Sequence, residues 1–183
     1  MKKRFVPILI GLALATYAST AAAVDPATST TAPPKKVATA KVEGRSNVAV
    51  AGEATFTEVK DGVKLSLTLT GVPPGVHAVH LHEKGDCSAP DAMSAGGHFN
   101  PTSVAHGAPT ADPHHAGDFG NMTVGADGKG KIELTTKMLT VAEGPNSVVG
   151  RAIIIHASED DMKTQPTGNA GGRIGCGVFA LKG

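Results

Sequence analysis

The sequence predicts an all-β fold, eight strands arranged as a Greek-key sandwich or flattened barrel with two long functional loops. Three observations predict it. Apolar and polar residues alternate in short runs bounded by Gly, Asp and Pro, a period of two rather than 3.6. Glycine is abundant (23 residues), while Trp is absent and Tyr occurs once, which favours tight turns and small packed side chains. Residues 84–113 and 158–172 break the alternation and are rich in turn formers. Unstructured stretches of that length in a compact domain are usually functional or cross-linked.

In chain order, the first segment reads as export machinery. Lys2, Lys3 and Arg4 form a positive start, Phe5 to Tyr17 is mostly apolar but too short to span a bilayer, and Ala21-Ala22-Ala23 is an A-x-A cleavage site. Residues 1–23 are therefore expected to be a signal peptide, with the mature chain in the periplasm or secreted and not stably inserted in a membrane. Residues 24–35 begin VDPATSTTAPP, which lacks apolar periodicity and reads as a flexible linker. The domain is expected over 36–183.

Strands are expected at VATAKVE (37–43), EATFTEV (53–59) and VKLSLTL (63–69), with a hairpin turn at Asp61-Gly62. Pro73-Pro74-Gly75 signals a turn before VHAVHLH (76–82), where histidines interrupt the apolar alternation and leave the register open. Strands resume at GNMTVGA (120–126), KIELTTK (131–137), VVGRAIIIHA (148–157) and IGCGVFAL (174–181), with a turn at Ala126-Asp127-Gly128.

The full chain carries 17 basic and 16 acidic residues. Cleavage after Ala23 removes three basic residues and no acidic ones, taking formal charge from 17 − 16 = +1 to 14 − 16 = −2. That excludes a general basic surface for nucleic acid, so attraction for an anionic substrate must be local. Two cysteines in an exported chain suggest one disulfide, Cys87 with Cys176. Closing a loop of about 90 residues is worth roughly 4–5 kcal/mol in the chain-entropy account.

Six histidines and an aspartate carry the chemistry. His80 and His82 are two apart, so on a strand both imidazoles reach one ion. His98, His106, His115 and Asp118 supply three imidazoles and a carboxylate, a closed tetrahedral set of the kind that holds structural zinc. His80, His82, His156 and a further imidazole make an all-nitrogen set that suits copper. The number of ligands fits two metals if one histidine serves both. His77 faces away from His80 and is expected to be a buried hydrogen-bonding residue, and His114 to be exposed.

The runs VHLHEKGDC (79–87), GGHFNP (96–101), AHGAP (105–109), HAGDFGN (115–121), GRAIIIHASEDD (150–161) and GNAGGRIGCGV (168–178) resemble copper/zinc superoxide dismutase, in the family's order and over nearly all of the chain beyond the linker. The resemblance implies an immunoglobulin-like sandwich and a redox enzyme that disproportionates superoxide, with one copper and one zinc per subunit. It implies copper ligands His80, His82, His98 and His156, and zinc ligands His98, His106, His115 and Asp118, with His98 bridging. It further implies that Asp160 links a histidine of each set, that Arg173 is the cation beside the copper, and that Cys87 pairs with Cys176. In the family His98 also handles a catalytic proton. A homodimer is compatible with the resemblance, its interface left open because family members assemble through different surfaces. Pro166 falls near the place where a steering lysine is often found, with Lys163 as a substitute, so weakened steering is expected. An exported metal-binding protein of this fold without turnover is the alternative.

Overall fold

The computed structural model describes residues 35–183. The expected signal peptide and all but the last residue of the expected linker lie outside the described residues. The strands are β1 (Val37–Gly44), β2 (Ala51–Val59), β3 (Gly62–Thr70), β4 (Gly75–His82), β5 (Asp118–Val124), β6 (Gly130–Thr136), β7 (Ala152–His156), β8 (Arg173–Val178) and β9 (Ala180–Leu181). The only helical element among the described residues is a 3-10 turn, Met93–Ala95.

The strand order is β2-β3-β6-β5-β4-β7-β8-β1-β9, and β1 also pairs with β2, which closes the barrel. All pairings are antiparallel, and β3 crosses to β6 in Greek-key fashion. The predicted all-β Greek-key class is what the structure has. Closure leaves β9 as a short addition: residues 174–181 form β8 and β9 in one register against β1, Glu43 opposite Cys176 and Thr39 opposite Ala180.

Two expectations need correction. Residues 148–151 are not strand but a turn, since Gly150 has φ 76° and the Arg151 N–H donates back to Val148 O at 3.2 Å. A third long connection, residues 137–151 between β6 and β7, carries Leu139, Val141 and Val148 into the core. Its last four residues, 148–151, resemble strand in the sequence because Val148 and Val149 are apolar.

Alternation builds the interior. Val63, Leu65, Leu67 and Leu69 of β3 are all buried, their neighbours in β3 lie nearer solvent, and Leu65 pairs across with Phe56. Each such side chain contributes about 1.5–3 kcal/mol on burial. Phe56 packs against Phe119 and Phe179, with centroids 5.9 and 4.8 Å away.

On the other side of the barrel the pattern changes. Ala78–His82 of β4 and all of β7 are buried on both faces. Val79 and Leu81 join the interior, as do Ile153 and Ile155. The opposite face of β7 is covered by the loop after β4: Ala152 and Ile154 pack with Ala92, Ala95 and Cys176, and Cys87 closes the edge. Cys87 and Cys176 form a disulfide with Cα atoms 5.9 Å apart. The register left open in the sequence is therefore Val79 and Leu81 inward, with His80 and His82 outward beneath the loops.

Candidate metal centre

Three parts of the chain meet outside the β4–β7 face. β4 contributes His80 and His82, and the end of β7 contributes His156. The loop between β4 and β5 contributes His98, His106 and His115, and Asp118 opens β5. Ligand atoms of His80, His82, His98 and His156 all lie within 4.8 Å of one another, and so do those of His98, His106, His115 and Asp118. Every one of these side chains is buried.

Ring orientation separates the atoms that point inward from those that anchor each imidazole. His80 Nε2 donates to Asp160 Oδ2 at 2.8 Å, His82 Nδ1 to Gly96 O at 2.9 Å and His156 Nδ1 to Gly171 O at 3.3 Å. His106 Nε2 donates to Asp160 Oδ1 at 2.9 Å and His115 Nε2 to Val104 O at 3.2 Å. The remaining nitrogens of His80, His82 and His156 are buried with no protein partner, as is His98 Nε2. Unpaired buried nitrogens aimed at a common point are expected only where something else binds them. His98 differs from the other five. Its Nε2 faces the first group, and its Nδ1 lies 3.0 Å from Asp118 Oδ1 and 3.4 Å from His115 Nδ1 in the second.

The protonation states suit metal binding. Burial, followed by the Arg173 charge and neighbouring His98, pushes His82 down to about 2. Burial pushes His156 to about 4 against the Gly171 hydrogen bond. His80 lies well below its usual value through burial and then through His98 and His156. These imidazoles are neutral at physiological pH, the form that binds metal. In the second group burial would raise Asp118, but the His98 ring and the Gly107 and His115 amides overcome it and hold the carboxylate near 2. Burial opposes a raised His106, yet Asp160 and Asp118 prevail.

The donor sets fit two different ions. Four imidazoles suit copper, and three imidazoles with an ionised carboxylate form a closed zinc-type set. Asp160 joins the groups, one oxygen to a histidine of each. Carboxylates placed this way fix tautomer and ring orientation.

Arg173 begins β8 and is half-buried, its guanidinium donating to Ala92 O at 2.8 Å and Gly96 O at 2.7 Å. The Gly96 carbonyl also receives His82, so one oxygen ties the arginine to the first group. Gly96 sits at φ 74°, and a Cβ there would run into the Glu83 side chain. His77 is buried beside the carbonyls of Pro73 and His156, apart from both groups. His114 is half-buried rather than exposed, because its ring folds back to His115 O at 2.8 Å.

Sequence reasoning did not single out the residues that hold this framework. Ser46 Oγ donates to Arg173 O at 2.8 Å, and Arg45 Nε donates to Cys87 O at 3.1 Å. Asn121 brackets Asp160, accepting its N–H at 2.7 Å and donating to its carbonyl at 2.9 Å. Such contacts span 39 to 127 residues and leave no local signature.

The profile of the copper/zinc superoxide dismutase family matches residues 50–179. Among solved structures, the clock protein EA4 is 37% identical with a TM-score of 0.73, covering 81% of this chain and 96% of its own. A SOD-like protein from Bacillus subtilis is 35% identical with a TM-score of 0.69, covering 78% of this chain and 97% of its own. A double variant of a SOD-like protein from the same organism, carrying two introduced histidines, is 38% identical with a TM-score of 0.69 over 76% and 95%. A family match over most of the chain, together with a barrel shared at this identity, establishes that the chain belongs to the copper/zinc superoxide dismutase family.

Proposed function

We propose that this protein disproportionates superoxide, converting two superoxide anions and two protons into one O₂ and one H₂O₂. The observation that carries the reading is the pair of converging ligand sets that share His98. His80, His82, His98 and His156 would hold copper, and His98, His106, His115 and Asp118 would hold zinc. When bound, copper supplies a one-electron couple that superoxide alternately reduces and reoxidises, while zinc contributes structure and no redox chemistry.

The chain's own residues do the rest. Arg173 docks the anion by charge-assisted hydrogen bonding, and the carbonyls of Ala92 and Gly96 fix its direction. His98 Nε2 is the atom that holds and releases a proton for the peroxide product, while its Nδ1 stays within the second set. Asp160 keeps His80 and His106 in the tautomers that free their Nδ1 atoms. The covering loops exclude water from ligands that are almost wholly buried. A periplasmic or secreted site of action is proposed from the leading segment of the sequence.

A second reading, an exported copper- and zinc-binding protein without turnover, draws support from neighbours described only as SOD-like or as a clock protein. Metal analysis of the purified chain, with a superoxide assay before and after chelation, separates the two. Near-stoichiometric copper and zinc with chelator-sensitive activity is the expected result. Bound metal with no activity selects the second reading.

A further inference from the structure

We infer that Gln165 is a positioning residue for the His98–His106–His115–Asp118 set, acting by bracketing the main chain of His106 with its carboxamide. The inference rests on reading that set as a metal site.

His106 lies in the long loop after β4, in no strand, so its main-chain groups must find partners elsewhere. Both find Gln165. Oε1 accepts the His106 N–H at 2.8 Å, and Nε2 donates to the His106 carbonyl at 2.9 Å. No other partner of these two groups occurs among the described residues. Two opposed hydrogen bonds to one residue are what an antiparallel strand partner would provide. A side chain 59 positions away supplies them here.

The segment that carries Gln165 is a platform in its own right. The Asp161 N–H donates to Gly168 O at 2.8 Å, and the Gly168 N–H donates to Thr164 O at 2.6 Å. Asp161 Oδ1 accepts the N–H groups of Lys163 and Thr164, and Oδ2 accepts the Thr164 hydroxyl. The second N–H of the Gln165 amide closes on Lys163 O at 3.2 Å, which fixes the amide plane. Asn121 grips the main chain of Asp160 in the same manner. The 2.9 Å bond from His106 to Asp160 therefore has a carboxamide bracket at each end. Turning either backbone would swing His106 Nδ1 away from Asp118 Oδ2, now 3.0 Å distant.

The test compares Gln165→Ala, Gln165→Glu and the control Lys163→Ala in the full mature chain. Three readouts apply: zinc affinity by chelator competition, the visible spectrum of Co(II) in the zinc position, and hydrogen exchange of the His106 amide in metal-free protein. Gln165→Ala is expected to weaken zinc binding roughly tenfold, the low end of the range for such supporting partners because the side chain is exposed. It should also shift the Co(II) bands and speed His106 exchange. Gln165→Glu keeps the acceptor and loses the donor, so it should fall between; Lys163→Ala, which leaves the main-chain carbonyl in place, should match wild type in these three readouts. Wild-type zinc affinity and an unchanged Co(II) spectrum in Gln165→Ala overturn the inference, even if that variant melts earlier. If wild type itself takes up neither ion in this set, the metal reading fails. His106 exchange then decides the bracket alone, and an unchanged rate overturns it.

Discussion

Strands β3 and β4 are nearly equal in length and differ in what they face. β3 buries every second residue and turns the rest toward solvent, while β4 is buried on both faces from Ala78 to His82. The inward face of β4 does the same work as that of β3. Its outward face is covered by loops rather than water, where buried polar groups need partners, and the ring nitrogens left without one there are the candidate metal ligands. The comparison separates stability from chemistry: one half of the barrel makes the fold, and the other carries the site on a wall of the same fold.

The sharpest way to break that division is His98→Ala. Activity per bound copper should fall by roughly 10²–10⁴-fold, the range for a positioned acid–base group. The pH profile of the remaining rate should also steepen, and an unchanged profile counts against a role for His98 in proton handling. Leu67→Ala is the matched change in the other half. It should cost about 2–5 kcal/mol in urea unfolding while the folded fraction keeps its metal content. Metal loss in proportion to stability loss would show that the two halves are not separable.

Acid should attack the β4 side first. His80, His82 and His156 have folded-state pKa values below the usual 6.5, so below that pH the unfolded chain binds more protons than the folded one. Stability present at neutral pH is therefore lost as pH falls from 6.5 toward 4, by about 3 kcal/mol from His156 alone. His106, raised, opposes this in part. Chemical denaturation of metal-free protein at pH 7.5 and 4.5 measures the difference, and equal stability at the two values would contradict it. A smaller effect is expected from Asp160→Asn, which should weaken metal binding about 10–100-fold by chelator competition, with little change in the unfolding of the metal-free barrel. The smallest concerns the solvent beyond the site. If residues 1–23 are removed as the sequence leads one to expect, the formal charge is −2, and kcat/KM should rise by less than about twofold as ionic strength falls. A larger rise would reveal strong local steering.

The legibility of the sequence followed the same division. In β1, β2, β3 and β6, period-two alternation, with Asp61-Gly62 as one turn, was enough to place the strands because one face meets water. In β4 the histidines at 80 and 82 contradicted the alternation, since the sequence does not say that loops cover that face. Residues 148–151 read as strand because Val148 and Val149 are apolar, although they pack from a connection. The ligand types and spacings suggested two metals, and the family resemblance divided them. What neither could reveal was the scaffolding by Ser46, Asn121 and Gln165, whose hydrogen bonds depend on which loops the barrel brings together.

Asp160 touches one histidine of each set with a separate oxygen. Thermodynamic reciprocity gives that small bridge a consequence. If filling one site orders Asp160 and thereby favours filling of the other, the second ion strengthens the first by the same factor, whichever arrives earlier. The two sites then load as a linked pair, and half-filled protein is scarcer than independent binding would predict.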